Sequence, residues 1–386
     1  MNGAGVIVGA YEHPTRLAPD KSVAQLHAEV ALGALRDAGL TTRDVDGFFC
    51  SGDAPGGLMS MANHLNLDLR YFDSLDVGGC SVIAQVAQAS AAIAMGKCNV
   101  ALITQAGRPK AAGIRTGTRK IVKDETAPDL PWELPYNVPN IANYAMVAAR
   151  HFHEFGTTSE QLAWVKVAAS HHAQHNANAV LRDVVTVEDV LASPLVSDPL
   201  HRLDCCLITD GGGAIVLARP EIAASLTRPA IGVRGAGMAL GHQEAGLIDL
   251  TYSGARKSGS EAFAAAGVTT ADIKYASIYD SFTITVVIQL EDLGFCDKGR
   301  GGAFVADGNL IANVGRLPVN TDGGGLCNNH PANRGGITRM VEAVRQLRGE
   351  ANTPVQIPNC DLVCVHGTGG HMASRHASAT LILERL

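Results

Sequence analysis

The chain has 386 residues and a net charge of −6, with 46% hydrophobic and 18% charged residues. That balance describes a globular chain with more apolar material than one small core holds, so two domains or two fused halves are expected. It carries no basic block to suit nucleic acid or an anionic membrane surface, and no apolar run long enough to span a bilayer.

Met1-Asn2-Gly3-Ala4-Gly5-Val6-Ile7-Val8-Gly9 enters a strand pattern directly, without the basic stretch of a secretory leader. With nine cysteines, an odd count, scattered through the β/α pattern, reduced thiols in a cytoplasmic protein are expected. Hydrophobic periodicity predicts a strand over 5–8, a helix over 23–38, a strand over 45–49, a core helix over 81–95 and a strand over 100–104. Alternating strands and helices imply a parallel sheet covered on both faces. From residue 107 to 200 the pattern loosens, and the proline-rich run 128–136 reads as an irregular excursion. Helices are predicted over 141–155 and 159–177, the second led by a capping-box-like pair, Thr157 and Glu160. A β/α pattern returns at 214–218, and 223–229 reads as a junction, dividing the chain into 1–225 (with the excursion 107–200) and 226–386.

The second half echoes the first. Ala38-Gly39-Leu40-Thr41-Thr42-Arg43-Asp44-Val45 returns as Ala266-Gly267-Val268-Thr269-Thr270-Ala271-Asp272-Ile273. Gly78-Gly79-Cys80 before a helix is echoed by Gly323-Gly324-Gly325-Leu326-Cys327-Asn328-Asn329-His330 before the helix 337–347. Thr209-Asp210-Gly211-Gly212-Gly213 with the strand after it is echoed by Gly367-Thr368-Gly369-Gly370 with the strand 377–383. Ordered correspondences of this kind indicate two copies of one α/β unit, which would bring Cys80 and His330 to a shared site. Cys80 also begins an alanine-rich helix, where the positive end of the macrodipole favours the nucleophilic thiolate.

These residues resemble the thiolase superfamily, specifically the sterol-carrier-protein-x-type thiolases and thiolase-like proteins. Cys80 falls where that family carries its acyl-accepting cysteine, Asn329-His330-Pro331 is similar to its Gly-His-Pro loop, and Gly367-Thr368-Gly369-Gly370 to its closing glycine loop. Tyr279-Asp280-Ser281-Phe282 occupies the place of the family's His-Asp-Cys-Phe motif. That tyrosine, and runs such as Arg316-Leu317-Pro318-Val319-Asn320-Thr321, resemble the branch of retro-aldolases that shorten steroid side chains as CoA thioesters. Those enzymes lack the nucleophilic cysteine and place a second tyrosine where His330 stands, so this chain is aldolase-like at Tyr279 and thiolase-like at Cys80 and His330. The resemblance implies two duplicated βαβαβαββ halves in five layers, α-β-α-β-α, with a loop excursion in the first half. It also implies an acyl-CoA substrate, no cofactor beyond that thioester, a homodimer or tetramer, and a small OB-fold, zinc-ribbon partner subunit.

Acyl transfer needs a nucleophile, a base and donors for an oxyanion. Cys80 is assigned as nucleophile with His330 as its base; backbone N–H groups at Cys80 and at Gly367, Gly369 and Gly370 form an oxyanion hole, with Asn329 and His366 lining the site. Tyr279 is expected to donate to the thioester oxygen, and Ser281 to cap a helix. His171, His172 and His175 lack the carboxylate spacing of a metal site, so no metal is expected. Cys205-Cys206, Cys360 and Cys364 read as core thiols. The competing activities are acyl transfer through Cys80, retro-aldol cleavage with Tyr279 and His330 as acid and base, and a non-catalytic acyl-CoA-binding subunit.

Overall fold

The computed structural model describes residues 4–115, 136, 138–242 and 247–386. The strands are β1 (Val6–Glu12), β2 (Gly47–Cys50), β3 (Tyr71–Ser74), β4 (Val100–Gly107), β5 (Leu195–Ser197), β6 (Leu200–His201), β7 (Gly211–Ala218), β8 (Ile231–Gly241), β9 (Tyr275–Ile278), β10 (Leu362–Gly370) and β11 (His376–Arg385). The helices are α1 (Val23–Ala38), α2 (Gly57–His64), α3 (Ser81–Ala94), α4 (Asn140–Phe155), α5 (Ser159–Ala173), α6 (Val187–Ala192), α7 (Pro220–Ala223), α8 (Ala255–Ala266), α9 (Thr283–Asp292), α10 (Gly301–Val305) and α11 (Gly336–Arg348). Most of the proline-rich run falls outside the described residues; Tyr136 is a turn residue.

The large sheet runs β3-β2-β4-β7-β1-β8-β11-β10-β9. Among the described residues the two groups of strands meet only at Ile7 and Ile231, a single pair between β1 and β8. The sheet is mixed, not parallel: β2 pairs in parallel with β3 and β4, and β9 with β10, while β7 and β11 run antiparallel to their neighbours. Alternation along each strand sorts its apolar residues onto two faces. Val8, Leu102 and Val216 pack on α1 and α2, whereas Ile7, Ile103, Ile215 and Leu217 face α3 and α11. Those central helices also receive Val363, Val365, Leu381 and Leu383, and the opposite faces of β10 and β11 bury Cys364 and Ile382 against α8, α9, α4 and α5. Three apolar clusters thus separate helix, sheet, helix, sheet and helix layers.

Local signals account for several boundaries. Gly39 and Gly267 close α1 and α8 in the left-handed conformation, and each is followed by a 3-10 turn whose first threonine bonds the aspartate three residues on. Helix α5 is capped one residue later than predicted, by Thr158 with Gln161, because Thr157 is engaged with the imidazole of His151. The third sequence echo pairs equivalent strands, β7 and β11, but its glycine runs do not correspond. Gly211, Gly212 and Gly213 begin β7, whereas Gly367 to Gly370 end β10; in the sheet β10 stands where β4 stands and β11 where β7 stands. Glycine runs at opposite ends of strands look alike because both mark close backbone approach.

Candidate active site

Two loops bring the chemistry together. Strand β9 ends at Ile278, and Tyr279 then donates its N–H to the His366 carbonyl of β10 (2.9 Å). Asp280 turns back and accepts from the N–H groups of Gly325 (2.8 Å) and Leu326 (3.2 Å), fastening the π-turn Gly324–Asn328. Gly324 has φ +65°, and a Cβ there would strike the Asp280 carboxylate, so only glycine fits. Burial pushes the Asp280 carboxyl up to about 6, against the pull of the Arg339 guanidinium.

His330 leaves this turn held by its backbone. Its N–H donates to Thr209 Oγ1 (2.9 Å), and its carbonyl accepts the Thr209 N–H (3.2 Å). The Thr209 hydroxyl donates to Asn329 Oδ1 (2.6 Å), and Asn329 Nδ2 donates to Glu12 Oε1 (2.8 Å). Glu12 closes the series against Arg16 (2.8 Å) and Arg345 (3.2 Å). His330 is 7% exposed, and among the described residues neither ring nitrogen has a partner. Burial, helped by the Arg339 charge, lowers its pKa to about 4, which leaves a neutral ring able to accept one proton.

The ring of Tyr279 stands edge-on to His330, centroids 5.4 Å apart, and its hydroxyl donates to the Ala332 carbonyl (3.3 Å). Burial pushes the phenol well above 10, so it serves as a donor and not as a base at neutral pH. Both side chains line one cavity of about 180 Å³, together with Tyr144, Cys206, Ser281 and the stretch Thr368-Gly369-Gly370. Gly79 forms part of its wall: a Cβ there would collide with the Tyr279 ring and the Thr368 carbonyl.

Cys80 borders a different cavity. Its thiol donates to the Val77 carbonyl (3.3 Å), and the residue lines a space of about 250 Å³ walled also by Leu75, Ala84, Met238 and Ala379. Burial pushes the thiol up to about 12, opposite to the thiolate expected at a helix N-terminus. That rise from 9 corresponds to about 4 kcal/mol against the charged form. A helix terminus typically returns about 0.3–1 kcal/mol, so desolvation wins.

The remaining expected residues divide. Gly369 and Gly370 line the Tyr279 cavity, but Gly367 packs against Cys80 and Ile83. Asn329 serves the His330 backbone through Thr209, outside the cavity wall. His366 faces away: its Nδ1 meets Thr380 Oγ1 (2.8 Å) inside the sheet, and burial lowers its pKa to about 3. Ser281 does not cap α9, whose N-cap is Phe282; its hydroxyl meets Thr285 (3.1 Å) and borders the cavity. His172 is a tie between α5 and the chain beyond β9, bonding the Asn320 carbonyl (3.2 Å) and the Ala312 N–H (2.9 Å). Cys206, read from the sequence as a core thiol, lies in the cavity wall, its N–H donated to the Ser281 carbonyl (3.0 Å). Tyr144, from α4, stacks on Phe282 at 4.4 Å and reaches the same space. Nothing in their local spacing marks either residue.

Residues 237–385 match the family described as Thiolase C-terminal domain-like. An acetyl-CoA acetyltransferase of Methanothermobacter thermautotrophicus is 34% identical, covering 91% of this chain and 92% of that protein. A steroid side-chain-cleaving aldolase of Thermomonospora curvata is also 34% identical, covering 96% of each. Among solved structures, an Ltp2-ChsH2(DUF35) aldolase superposes with a TM-score of 0.88 at 32% identity, covering 100% of this chain and 98% of that one. The chain belongs to the thiolase superfamily, as a sterol-carrier-protein-x-type thiolase-like protein of the branch that includes the side-chain-cleaving retro-aldolases.

Proposed function

We propose that this chain is an enzyme that cleaves the Cα–Cβ bond of a β-hydroxyacyl-CoA by a retro-aldol reaction. One observation carries the reading: Tyr279 and the imidazole of His330, unpartnered among the described residues, line one cavity, while Cys80 lines another. Neutral His330 accepts the proton of the β-hydroxyl; the Cα–Cβ bond breaks as Cβ becomes a carbonyl, and its electron pair passes into a thioester enolate. The Tyr279 hydroxyl donates to the enolate oxygen, and protonation at Cα releases the shortened acyl-CoA. One such donor typically contributes ~10²–10³ in rate. The substrate is a CoA thioester, as the name of the acetyltransferase relative suggests, and a DUF35-type subunit like the one named with the solved aldolase joins this chain.

The test uses a β-hydroxyacyl-CoA with a tertiary carbinol, with and without such a subunit, following release of the ketone. Cys80→Ala is expected to keep turnover, and His330→Ala to abolish it. The second reading is acyl transfer through Cys80, favoured by its place at the start of α3, packed against Gly367. A stable acyl adduct on Cys80 after incubation with acyl-CoA, with cleavage lost in Cys80→Ala, would replace the first reading by the second.

A further inference from the structure

Lys166, in α5, is 1% exposed, and its Nζ donates to the Leu326 carbonyl (2.8 Å) and to Cys327 Sγ (3.0 Å). Among the described residues it forms no ion pair with a carboxylate. Cys327 is fully buried in the π-turn that leads to Asn329 and His330. Its N–H donates to the Gly323 carbonyl and its own carbonyl accepts from Leu181, both at 2.9 Å, so the thiol is held facing the amine. Neither group has a part in the cleavage described above.

We propose that Lys166 and Cys327 form an oxidative modification site, joined by dioxygen through an Nζ–O–Sγ bridge. The thiol gives up its S–H and the amine one N–H; one oxygen atom enters between nitrogen and sulfur, and the other leaves as water. Sulfur and nitrogen together lose four electrons, and the two oxygen atoms gain them. A single oxygen spans the present separation with little movement of either backbone. The bridge ties α5 to the turn that carries His330, so bridged and unbridged protein are expected to turn over substrate at different rates. The proposal does not depend on which reaction the site performs.

The test is made on the full-length wild-type chain, prepared once in air and once without dioxygen. Each sample is denatured, alkylated, digested with a protease that does not cut at lysine, and analysed by mass spectrometry. The air-exposed sample is expected to contain the Lys166 and Cys327 peptides linked, heavier by one oxygen and lighter by two hydrogens than their sum. The linked species should vanish after dithiothreitol and be absent from the oxygen-free sample. Alkylated Cys327 beside unmodified Lys166 in the air-exposed sample would overturn the proposal. So would a linkage without the oxygen, a sulfinate at Cys327, or a link from Lys166 to its other thiol neighbour, Cys205.

Discussion

At the scale of single residues, His330 is positioned through its backbone, which leaves its ring free for a substrate. Thr209 grips both the N–H and the carbonyl, and its hydroxyl is in turn aimed by Asn329 and Glu12. Thr209→Val keeps the shape but strands two buried partners, at about 1–3 kcal/mol each. We expect kcat to fall while KM changes little, with recovery in Thr209→Ser; a KM effect alone would count against positioning. Tyr279→Phe removes the hydroxyl without altering the ring packed on His330 and Gly79. Steady-state kinetics should show kcat lower by ~10²–10³, with little change in melting temperature.

At the scale of elements, the π-turn Gly324–Asn328 depends on what is buried beneath it. Asp322 accepts from Gly324 N–H (3.0 Å) and Asn328 Nδ2 (2.8 Å) while paired with Arg339 of α11 (2.7 Å). Both members of that pair are 1% exposed, and the Arg339 guanidinium holds the Asp322 carboxyl below the usual carboxylate range despite its burial. Removing one partner of such a pair leaves an uncompensated charge, so Arg339→Met should cost about 3–5 kcal/mol in chemical denaturation. Gly324→Ala is expected to destabilise by at least about 1 kcal/mol, combining the positive-φ penalty with a clash against Asp280. Its signature should be a greater loss of activity than of fold, because the turn carries His330 directly.

For the whole molecule, packing the helix and sheet layers against one another buries histidines as neutral rings. His27, His172, His330 and His376 are lowered to about 4, and His366 to about 3, each chiefly by burial. Unfolded, these rings take protons near pH 6.5; folded, they resist until near pH 4. The unfolded state therefore binds more protons across that window, and their contribution to stability falls as pH drops from 6.5 to 4. The buried carboxyls Asp280, at about 6, Glu342, at about 7, and Asp204 and Asp292, both raised chiefly by burial, act in the opposite sense, since the folded state holds their protons longer. Five rings outweigh four carboxyls, each net proton contributing about 1.4 kcal/mol per pH unit. Melting temperature is expected to drop steeply between pH 6.5 and 4; a flat profile would contradict neutral burial.

Much of this architecture was written locally. Apolar periodicity placed α1 and the core helix α3, and the paired Gly-Thr-Thr segments foretold matching turns after α1 and α8. Motif order along the chain was enough to name the superfamily and to single out Tyr279 and His330. Strand direction was not legible, because β/α alternation does not reveal where β7 and β11 insert antiparallel between their neighbours. Nor was the environment of Cys80: the helix terminus is a local feature, but the cavity the residue borders is walled by Met238 and Ala379 from the other half of the chain. Cys206 and Tyr144 reach the site for the same reason, carried there by segments whose own sequence records nothing of the surface they pack against. Sequence by itself determined the family, through motif order, and the strongly periodic helices α1 and α3 with the matching turns after α1 and α8, since those rest on patterns a few residues apart. Only the tertiary structure decided which side chains share a cavity and which are desolvated, because both depend on residues brought together from distant parts of the chain.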